Sequence, residues 1–311
     1  MRFAVLVFLI ACGGVRGGTK TDPKAKRGIE AAALPYSILD RSGHQVDRAA
    51  FWAAVTAARV ICVGEDHPNP HHHWFQLEVM SEVAAHKPAK LALGMEMFQR
   101  PFQGVLDDFA AKRIDEGALI SRSGWEERWG YDFGFYGPTI RKATGAGAAL
   151  LALNAAKELT KKVVHKGLES LTPDEKKQMP ELVLDDKAHR AWFDATMEDM
   201  GGAEAHGGNG KPDKDAPSQD RIYTAQVIWD ESMADGAAKW SKANPNGLLV
   251  LLAGNGHCHD SAIVNRIKRR GVDKVISLRP VLDVEGRVAE AVAKPMNDYI
   301  VVLELPTDAK K

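Results

Sequence analysis

Six short hydrophobic runs, separated by segments of helical periodicity, are the feature that most limits the folds open to this chain. The runs are nearly continuous rather than alternating, which is typical of strands buried on both faces of a parallel sheet. Helix-like patterns follow the first, second and fourth runs. Strand alternating with helix predicts an α/β fold, with a mostly parallel central sheet flanked by helices. The six runs are residues 59–65, 89–97, 147–155, 247–257, 273–279 and 298–305.

A long segment before the fourth run, residues 157–243, predicts a helical insertion within one domain that spans 35–307. Thr172 followed by Pro173 is typical of a helix start, because threonine caps the free amides and proline fits the first turn. Residues 201–220 are rich in glycine and lack apolar side chains, so we expect a mobile loop there. A helix predicted from Arg221 then leads back to the sheet.

The overall charge argues against one class of partner. Among 311 residues there are 41 lysines and arginines and 41 aspartates and glutamates, so the formal net charge is zero. A balanced chain has no general electrostatic attraction for a polyanion. We therefore expect no nucleic-acid partner.

The first dozen residues differ from the rest of the chain. An apolar run from Phe3 to Ala11 is too short to span a bilayer and is typical of a secretory signal peptide, residues 1–11. The sequence from Leu9 to Cys12 resembles the bacterial lipobox, in which the cysteine becomes the lipid-bearing first residue of the mature protein and carries chains such as palmitate. Residues 12–34 then predict a flexible tether. The alternative is an ordinary cleaved signal in which Cys12 is incidental.

Cys62 and Cys258 are the other two cysteines. One lies in a hydrophobic run and the other follows a histidine. Two cysteines are too few for a disulfide framework, so we expect these two to remain unpaired.

The stretch GEDHPNPHHHWFQ, residues 64–76, follows the first hydrophobic run. Asn69 and Pro70 predict a helix start, so the residues before them form a turn between a buried strand and a helix. Glu65 and His67 then lie at the carboxyl end of the strand, where open α/β sheets bind ligands. The helix amino terminus turns its amides towards the same space.

Polar residues end the other predicted strands as well. Because the carboxyl ends of parallel strands meet at one edge, we expect these side chains to converge there, with Glu65, His67, Glu96 and His257 forming one site. GEDH and GNGH share the form G-x-x-H after a buried strand, and two such turns are less easily explained by chance than one. The residues at the other strand ends are Glu96, Asn154, Asn255, His257 and Arg279.

Three kinds of chemistry suit this set of residues. Glu65, His67 and His257 could hold a divalent metal and leave a position for water. Without metal, Glu65 or His67 could act as a general base while Arg279 stabilises an anion. The third interpretation is a buried hydrogen-bonded network without chemical function.

The three consecutive histidines, His71 to His73, cannot all face the site, because successive helix positions point in different directions. His72 and Gln76 are one turn apart and share a face. We therefore expect His72 at the site and the other two in solvent.

An aromatic cluster occupies residues 124–138, with a spacing typical of neither helix nor strand. Such a loop could line a flat apolar ligand, with Trp125 beside it and Tyr131 or Tyr136 offering a phenol oxygen to a metal. The alternative is an aromatic lid that packs over the end of the sheet. Both interpretations remain open on the sequence.

These segments together resemble the ChaN-like family of haem-binding, iron-regulated lipoproteins, which is similar in turn to the Tiki and TraB proteins and the erythromycin esterases. The resemblance covers roughly residues 35 to 305. It implies a haem-binding lipoprotein of the bacterial envelope, with dimers that hold haem between facing subunits. The wider superfamily implies a metal-dependent hydrolase-like site. Its motifs fall here on Gly64, Glu65, His67, Glu96, Gly254 and His257.

The chain departs from the family pattern in three ways. Pro68 stands where an aspartate usually follows the first G-x-x-H, and the insertion is unusually rich in glycine. No family motif places the haem-ligating tyrosine, which leaves Tyr131, Tyr136 and Tyr223 as candidates.

The expected function is haem binding by a lipid-anchored protein at the outer membrane, facing the periplasm and serving haem or iron uptake. The rival is a metal-dependent hydrolase, of esterase or peptidase type, that uses the paired G-x-x-H motifs. A third hypothesis is a binding scaffold whose site is a relic.

Overall fold

A computed structural model describes residues 28–199 and 217–306, and the fold is built on one sheet. The strands are β1 (Tyr36–Asp40), β2 (Val60–Val63), β3 (Lys90–Gln99), β4 (Ala149–Asn154), β5 (Gly247–Leu252), β6 (Val275–Leu282) and β7 (Tyr299–Leu303). Their order across the sheet is β1-β7-β6-β2-β5-β3-β4. β1 runs antiparallel to β7, and the other pairs are parallel. The predicted α/β class with a mostly parallel sheet is confirmed.

Helices cover both faces of the sheet. They are α1 (Arg48–Thr56), α2 (Pro70–Ala85), α3 (Gln103–Ala110), α4 (Glu116–Ser123), α5 (Trp125–Arg128), α6 (Gly137–Gly145), α7 (Lys157–Lys166), α8 (Pro173–Lys177), α9 (Lys187–Asp199), α10 (Gln219–Ala243), α11 (Asn265–Arg269) and α12 (Arg287–Ala293). Short 3-10 turns occupy Ile29–Ala32, Arg100–Phe102, Phe133–Phe135 and Leu168–Ser170, and a π turn occupies Asp260–Val264.

The central strands β2 and β5 are buried along their whole length because each face of the sheet carries its own core. Ile61 and Val63 pack in the core that includes Phe75 of α2. Val60 and Cys62 point the other way, into the core that includes Met233 of α10. Two covered faces leave no position for a polar side chain, which explains the continuous hydrophobic runs.

A disulfide joins Cys62 to Cys258, with 5.7 Å between their Cα atoms. The prediction that these cysteines stay unpaired is therefore wrong. They lie 196 residues apart in sequence, but β2 and β5 are hydrogen-bonded neighbours. Since Cys62 lies two residues before Gly64 and Cys258 directly follows His257, the bond ties the two G-x-x-H turns together.

The predicted insertion is helical, as expected, and contains α7 to α10. α10 begins at Gln219 with Ser218 as its cap, two residues earlier than predicted. The rest of the glycine-rich stretch, residues 200–216, lies outside the described residues. Within the predicted tether, Ile29 is buried. No helix of residues 28–199 and 217–306 is both long and apolar enough to cross a membrane.

Candidate functional site

The two G-x-x-H turns meet at the carboxyl edge of the sheet. The Gly64 amide donates to the carbonyl of Leu278, and the Asn255 amide donates to the carbonyl of Glu65 at 2.8 Å. A Cβ on Gly64 would collide with Oδ1 of Asn255, so any larger residue here would displace that side chain. Asn255 is held in turn by Asp66, to whose Oδ1 it donates at 3.0 Å.

The predicted helix start is confirmed, because α2 begins at Pro70 and Asn69 is its cap. The side-chain oxygen of Asn69 accepts from the amides of His71 and His72, at 3.0 and 3.4 Å. This cap ends the turn and starts the helix whose first residues face the site.

Glu65 is fully buried at the centre of a hydrogen-bonded cluster. Its Oε1 accepts from the hydroxyl of Tyr136 at 2.9 Å and lies 2.6 Å from Nδ1 of His67. Its Oε2 accepts from Nε2 of Gln76 at 2.7 Å and lies 3.4 Å from Nδ1 of His73. Burial alone would raise the pKa of Glu65, but these neighbours outweigh it and lower that pKa. The cluster therefore holds a buried carboxylate.

His67 is the first of two buried imidazoles at this edge. Burial alone would lower its pKa, but the hydrogen bond and charge of Glu65 outweigh burial, so the pKa is raised. The charges of Glu96 and His257 also act on it, which places all four predicted residues within one electrostatic neighbourhood.

His257 is the second buried imidazole and lies between two carboxylates. Its Nδ1 is 2.7 Å from Oδ1 of Asp230, and its Nε2 is 3.5 Å from Oε1 of Glu96. Glu96 is fixed by the amide of Gly254, which donates to its Oε2 at 2.7 Å. Burial alone would lower the pKa of His257, but Glu96 and Asp230 raise it to about 9. At neutral pH this ring is an imidazolium.

Asp230 was missed by the sequence reasoning, although α10 carries a signal for it. It is fully buried, and it lies in a helix whose neighbouring positions, among them Ile228 and Met233, are also buried. Burial alone would raise the pKa of Asp230, but His257, His189 and Arg266 hold it well below its usual range. An ionised side chain inside an apolar stretch needs a partner of opposite charge.

The histidines of α2 differ from the prediction. His73 is buried and stacks on Phe135, with 4.9 Å between ring centroids, so its predicted exposure to solvent is wrong. Nδ1 of His73 lies 3.1 Å from Oε1 of Gln76, so His73 and not His72 contacts this side chain. His72 is buried, its Nδ1 accepts from the amide of Asp66 at 2.9 Å, and burial lowers its pKa to about 4. His71 is partly exposed and contacts the carbonyl of Ala32.

The aromatic segment covers the site. Trp125 is buried and donates its indole N–H to the carbonyl of Tyr131 at 2.6 Å. The ring of His67 lies 4.6 Å from the ring of Trp129 and 5.1 Å from that of Tyr131. The segment that fits neither helix nor strand in sequence is folded as short helical turns around α5. Tyr136 lies beneath it, where burial and Glu65 raise its pKa well above the usual value.

The remaining sequence predictions concern positions on β3, β4, β6 and α10. Asn154 ends β4, and its Oδ1 accepts from the amide of Ala155. Glu96 and Arg279 lie inside β3 and β6, not at the ends where the sequence pattern put them, because both strands continue past the hydrophobic run. Burial lowers the pKa of Arg279, and the charge of Asp66 opposes that effect. Tyr223 is buried on α10.

The predicted metal ligands Glu65, His67 and His257 do not form a metal site in this geometry. No group of three or more histidine, cysteine, aspartate or glutamate side chains within residues 28–199 and 217–306 is arranged to hold an ion. Both oxygens of Glu65 accept hydrogen bonds from the protein, and each imidazole faces a carboxylate. Cys12, the predicted lipid-bearing residue, lies outside the described residues.

The fold has been seen before. A structure described as cofacial heme binding to ChaN of Campylobacter jejuni matches 86% of this chain and 96% of its own, with a TM-score of 0.64 and 16% identity. The type III effector HopBA1 matches with a TM-score of 0.42, at 11% identity over 88% of this chain and 96% of its own. A comparison with curated proteins gives no match.

A family model described as "Haem-binding uptake, Tiki superfamily, ChaN" matches residues 51–267. The matched range is more than half of the chain and contains both G-x-x-H turns, Glu96, the aromatic segment and Asp230. This chain therefore belongs to the ChaN family of the Tiki superfamily.

Proposed function

We propose that this chain binds haem at an aromatic rim formed by Trp129, Tyr131 and Phe135. The observation that carries the proposal is the partly exposed phenol of Tyr131, set beside the rings of His67 and Trp129. Phenol oxygen is a known haem-iron ligand, and flat aromatic side chains pack well on a flat apolar ring. When bound, haem supplies an iron centre with a position for such a ligand.

Tyr131 suits this role better than the other two candidate tyrosines. Tyr136 and Tyr223 are both buried, at 1% and 3% exposure. A ligand the size of haem could reach either hydroxyl only after the surrounding core opened, whereas Tyr131 is only partly buried.

A hemin titration tests the assignment. Tyr131→Phe removes one oxygen and keeps the ring, so we expect at least about a tenfold loss of hemin affinity and a shifted Soret band. Tyr223→Phe is the matched control and should titrate like the wild type. Equal affinity of Tyr131→Phe and the wild type would refute Tyr131 as the ligand, and no Soret change in the wild type would refute haem binding.

The proposed setting is the bacterial envelope, with Cys12 carrying the lipid. Two acyl chains anchor a protein where a single chain is marginal, so the modified chain should stay with membranes until detergent is added. Cys12→Ala should appear in the soluble fraction. A wild type that fractionates without detergent as a soluble periplasmic protein would contradict the anchor.

Assembly is part of the same proposal. We propose that two copies face each other with haem between them, because the related Campylobacter jejuni structure is described as cofacial haem binding. Sedimentation with and without hemin should then show a dimer that forms or tightens when hemin is present. A monomer at saturating hemin would contradict it.

The second candidate function is hydrolysis, and one observation favours it. Each imidazole is paired with a carboxylate, His67 with Glu65 and His257 with Asp230, while Glu96 lies on the other side of His257. Such pairs supply a proton acceptor and a proton donor at one edge. His67→Ala and His257→Ala should then each abolish turnover of an ester or peptide panel, and the double variant should be little worse than either. No turnover by the wild type would remove this candidate.

A further inference from the structure

We propose that Asp230 is a positioning residue that holds a proton on Nδ1 of His257. Two helices of the predicted insertion, α9 and α10, provide this contact and the residue behind it. The inference concerns the same edge of the sheet as the proposed haem site, but it does not require haem to be the ligand. On this proposal, the ring orientation of His257 is set by α10, which lies outside the second G-x-x-H turn.

Asp230 contacts His257 directly. Asp230 lies on α10 and is fully buried, with Oδ1 2.7 Å from Nδ1 of His257. An ionised carboxylate only accepts hydrogen bonds, so Nδ1 must be the donor. Nε2 of Gln226 also lies 3.1 Å from this Nδ1, but it donates to the carbonyl of Gly256 and can only be a neighbour of a protonated Nδ1. The proton on Nδ1 leaves Nε2 as the ring atom that faces Glu96, at 3.5 Å from its Oε1.

The other carboxylate oxygen of Asp230 faces a second histidine. His189 of α9 is also fully buried, and its Nε2 lies 3.0 Å from Oδ2 in a bent geometry. On its far side, Nη2 of Arg266 lies 3.2 Å from Nδ1 of His189. Since a guanidinium only donates, Nδ1 of His189 must accept, and the proton of His189 must be on Nε2, facing Asp230.

These contacts therefore determine which atom donates and which accepts from Arg266 through His189 and Asp230 to His257. Arg266 donates to His189, and His257 donates to Oδ1 of Asp230. The protonated Nε2 of His189 lies 3.0 Å from Oδ2 of Asp230 and interacts with that charged oxygen without hydrogen-bond geometry. The hydroxyl of Tyr223 also lies 3.2 Å from Nδ1 of His189. A carboxylate has an acceptor oxygen for each of the two histidines, whereas the amide of asparagine has one acceptor oxygen and one NH₂ donor, so an amide cannot replace Asp230 without reversing one contact.

The substitution Asp230→Asn makes a specific prediction. Arg266 still fixes the proton of His189 on Nε2, so the amide must turn its oxygen to His189 and its NH₂ to His257. The NH₂ then donates to Nδ1 of His257, so Nδ1 must give up its proton and only Nε2 can carry hydrogen. His189→Gln leaves the carboxylate in place, so His257 should keep its proton on Nδ1.

The experiment is nuclear magnetic resonance of the full chain labelled with ¹⁵N-histidine, without hemin. Long-range ¹H–¹⁵N correlations report which ring nitrogen carries hydrogen, and His257→Gln identifies the signals of His257 by their loss. We expect hydrogen on Nδ1 in the wild type and His189→Gln, and its loss from Nδ1 in Asp230→Asn. Asp235→Asn is the matched control, because Asp235 lies on the same helix and pairs with Arg100 and Lys239 instead of a histidine.

Two results would overturn the inference. One is a wild-type His257 whose Nδ1 carries no hydrogen, which can be read even if Asp230→Asn does not fold. The other is a folded Asp230→Asn variant with unchanged His257 signals. Because no hemin is present, either result is independent of whether the chain binds haem.

Discussion

The turn after β2 and the turn after β5 share the sequence form G-x-x-H, yet they hold their histidines in different ways. In the first turn, the carboxylate partner of His67 is Glu65, two residues away in the same turn. In the second, His257 has no acidic partner within its own turn and is held by Glu96 from β3 and Asp230 from α10. One site is local, and the other is assembled by the fold.

The pKa values of both turn histidines, His67 and His257, are raised by their carboxylate partners, and a third buried histidine shows that this depends on the partner. His257 lies between two carboxylates and its pKa rises to about 9, whereas His72, which accepts from a backbone amide, has a pKa that burial lowers to about 4. Both rings are buried. Burial alone therefore does not decide the charge of an imidazole here; the partners do.

The largest predicted effect comes from cutting the covalent link between the two turns. The variant Cys62→Ala/Cys258→Ala should lose about 5 kcal/mol of unfolding free energy, because the bond closes a loop of almost two hundred residues in the unfolded chain. Urea unfolding of the variant and the wild type measures the loss. Reduction of the wild type should give a similar value, and a loss under about 1 kcal/mol would contradict the role of the bond.

The next largest effect on stability comes from removing Asp230, the partner that α10 provides for the histidine of the second turn. Asp230→Ala leaves His257 and His189 buried without their carboxylate and should cost about 3–5 kcal/mol. Asp235 lies on the same helix and pairs with Arg100 and Lys239, which both reach solvent, so Asp235→Ala should cost less than Asp230→Ala in the same urea assay. If the two variants were equal, the fully buried position of Asp230 between two histidines would contribute nothing beyond an ordinary ion pair.

The pH dependence sharpens the comparison further. The pKa of His257 is raised to about 9 in the folded chain, from about 6.5 when unfolded. Its contribution to stability is therefore complete below pH 6.5 and is lost as the pH rises through 9. The stability advantage of the wild type over His257→Gln should shrink by roughly 1–3 kcal/mol between pH 6 and pH 10. An advantage that grows with pH would show that the folded ring is neutral.

The smallest effects concern two histidines of α2, the helix that follows the first turn. His71 is partly exposed, so His71→Ala should change unfolding free energy by about 0.5 kcal/mol or less. His73 is buried against Phe135 and bonded to Gln76, so His73→Ala should cost about 2 kcal/mol. Thermal unfolding of the two variants side by side checks the contrast. A silent His73→Ala would mean that this ring does not support Glu65.

The sequence predicts the central sheet well because strands covered on both faces admit little besides apolar side chains. β1 is not predicted in this way, because only Ile38 of its five residues is buried. The helix start at Asn69 and Pro70 is also predictable, because a cap is a property of a few adjacent residues.

Local sequence also determines the pairing of Glu65 with His67, since both lie in one turn. Only the tertiary structure decides the partners of His257, the disulfide from Cys62 to Cys258, and the burial of His73. Each of these depends on which strands are neighbours and how the inserted helices cross them. The physical reason is that a pKa, a bond between cysteines and a buried ring all depend on distances in space, and the order of residues along the chain does not contain those distances.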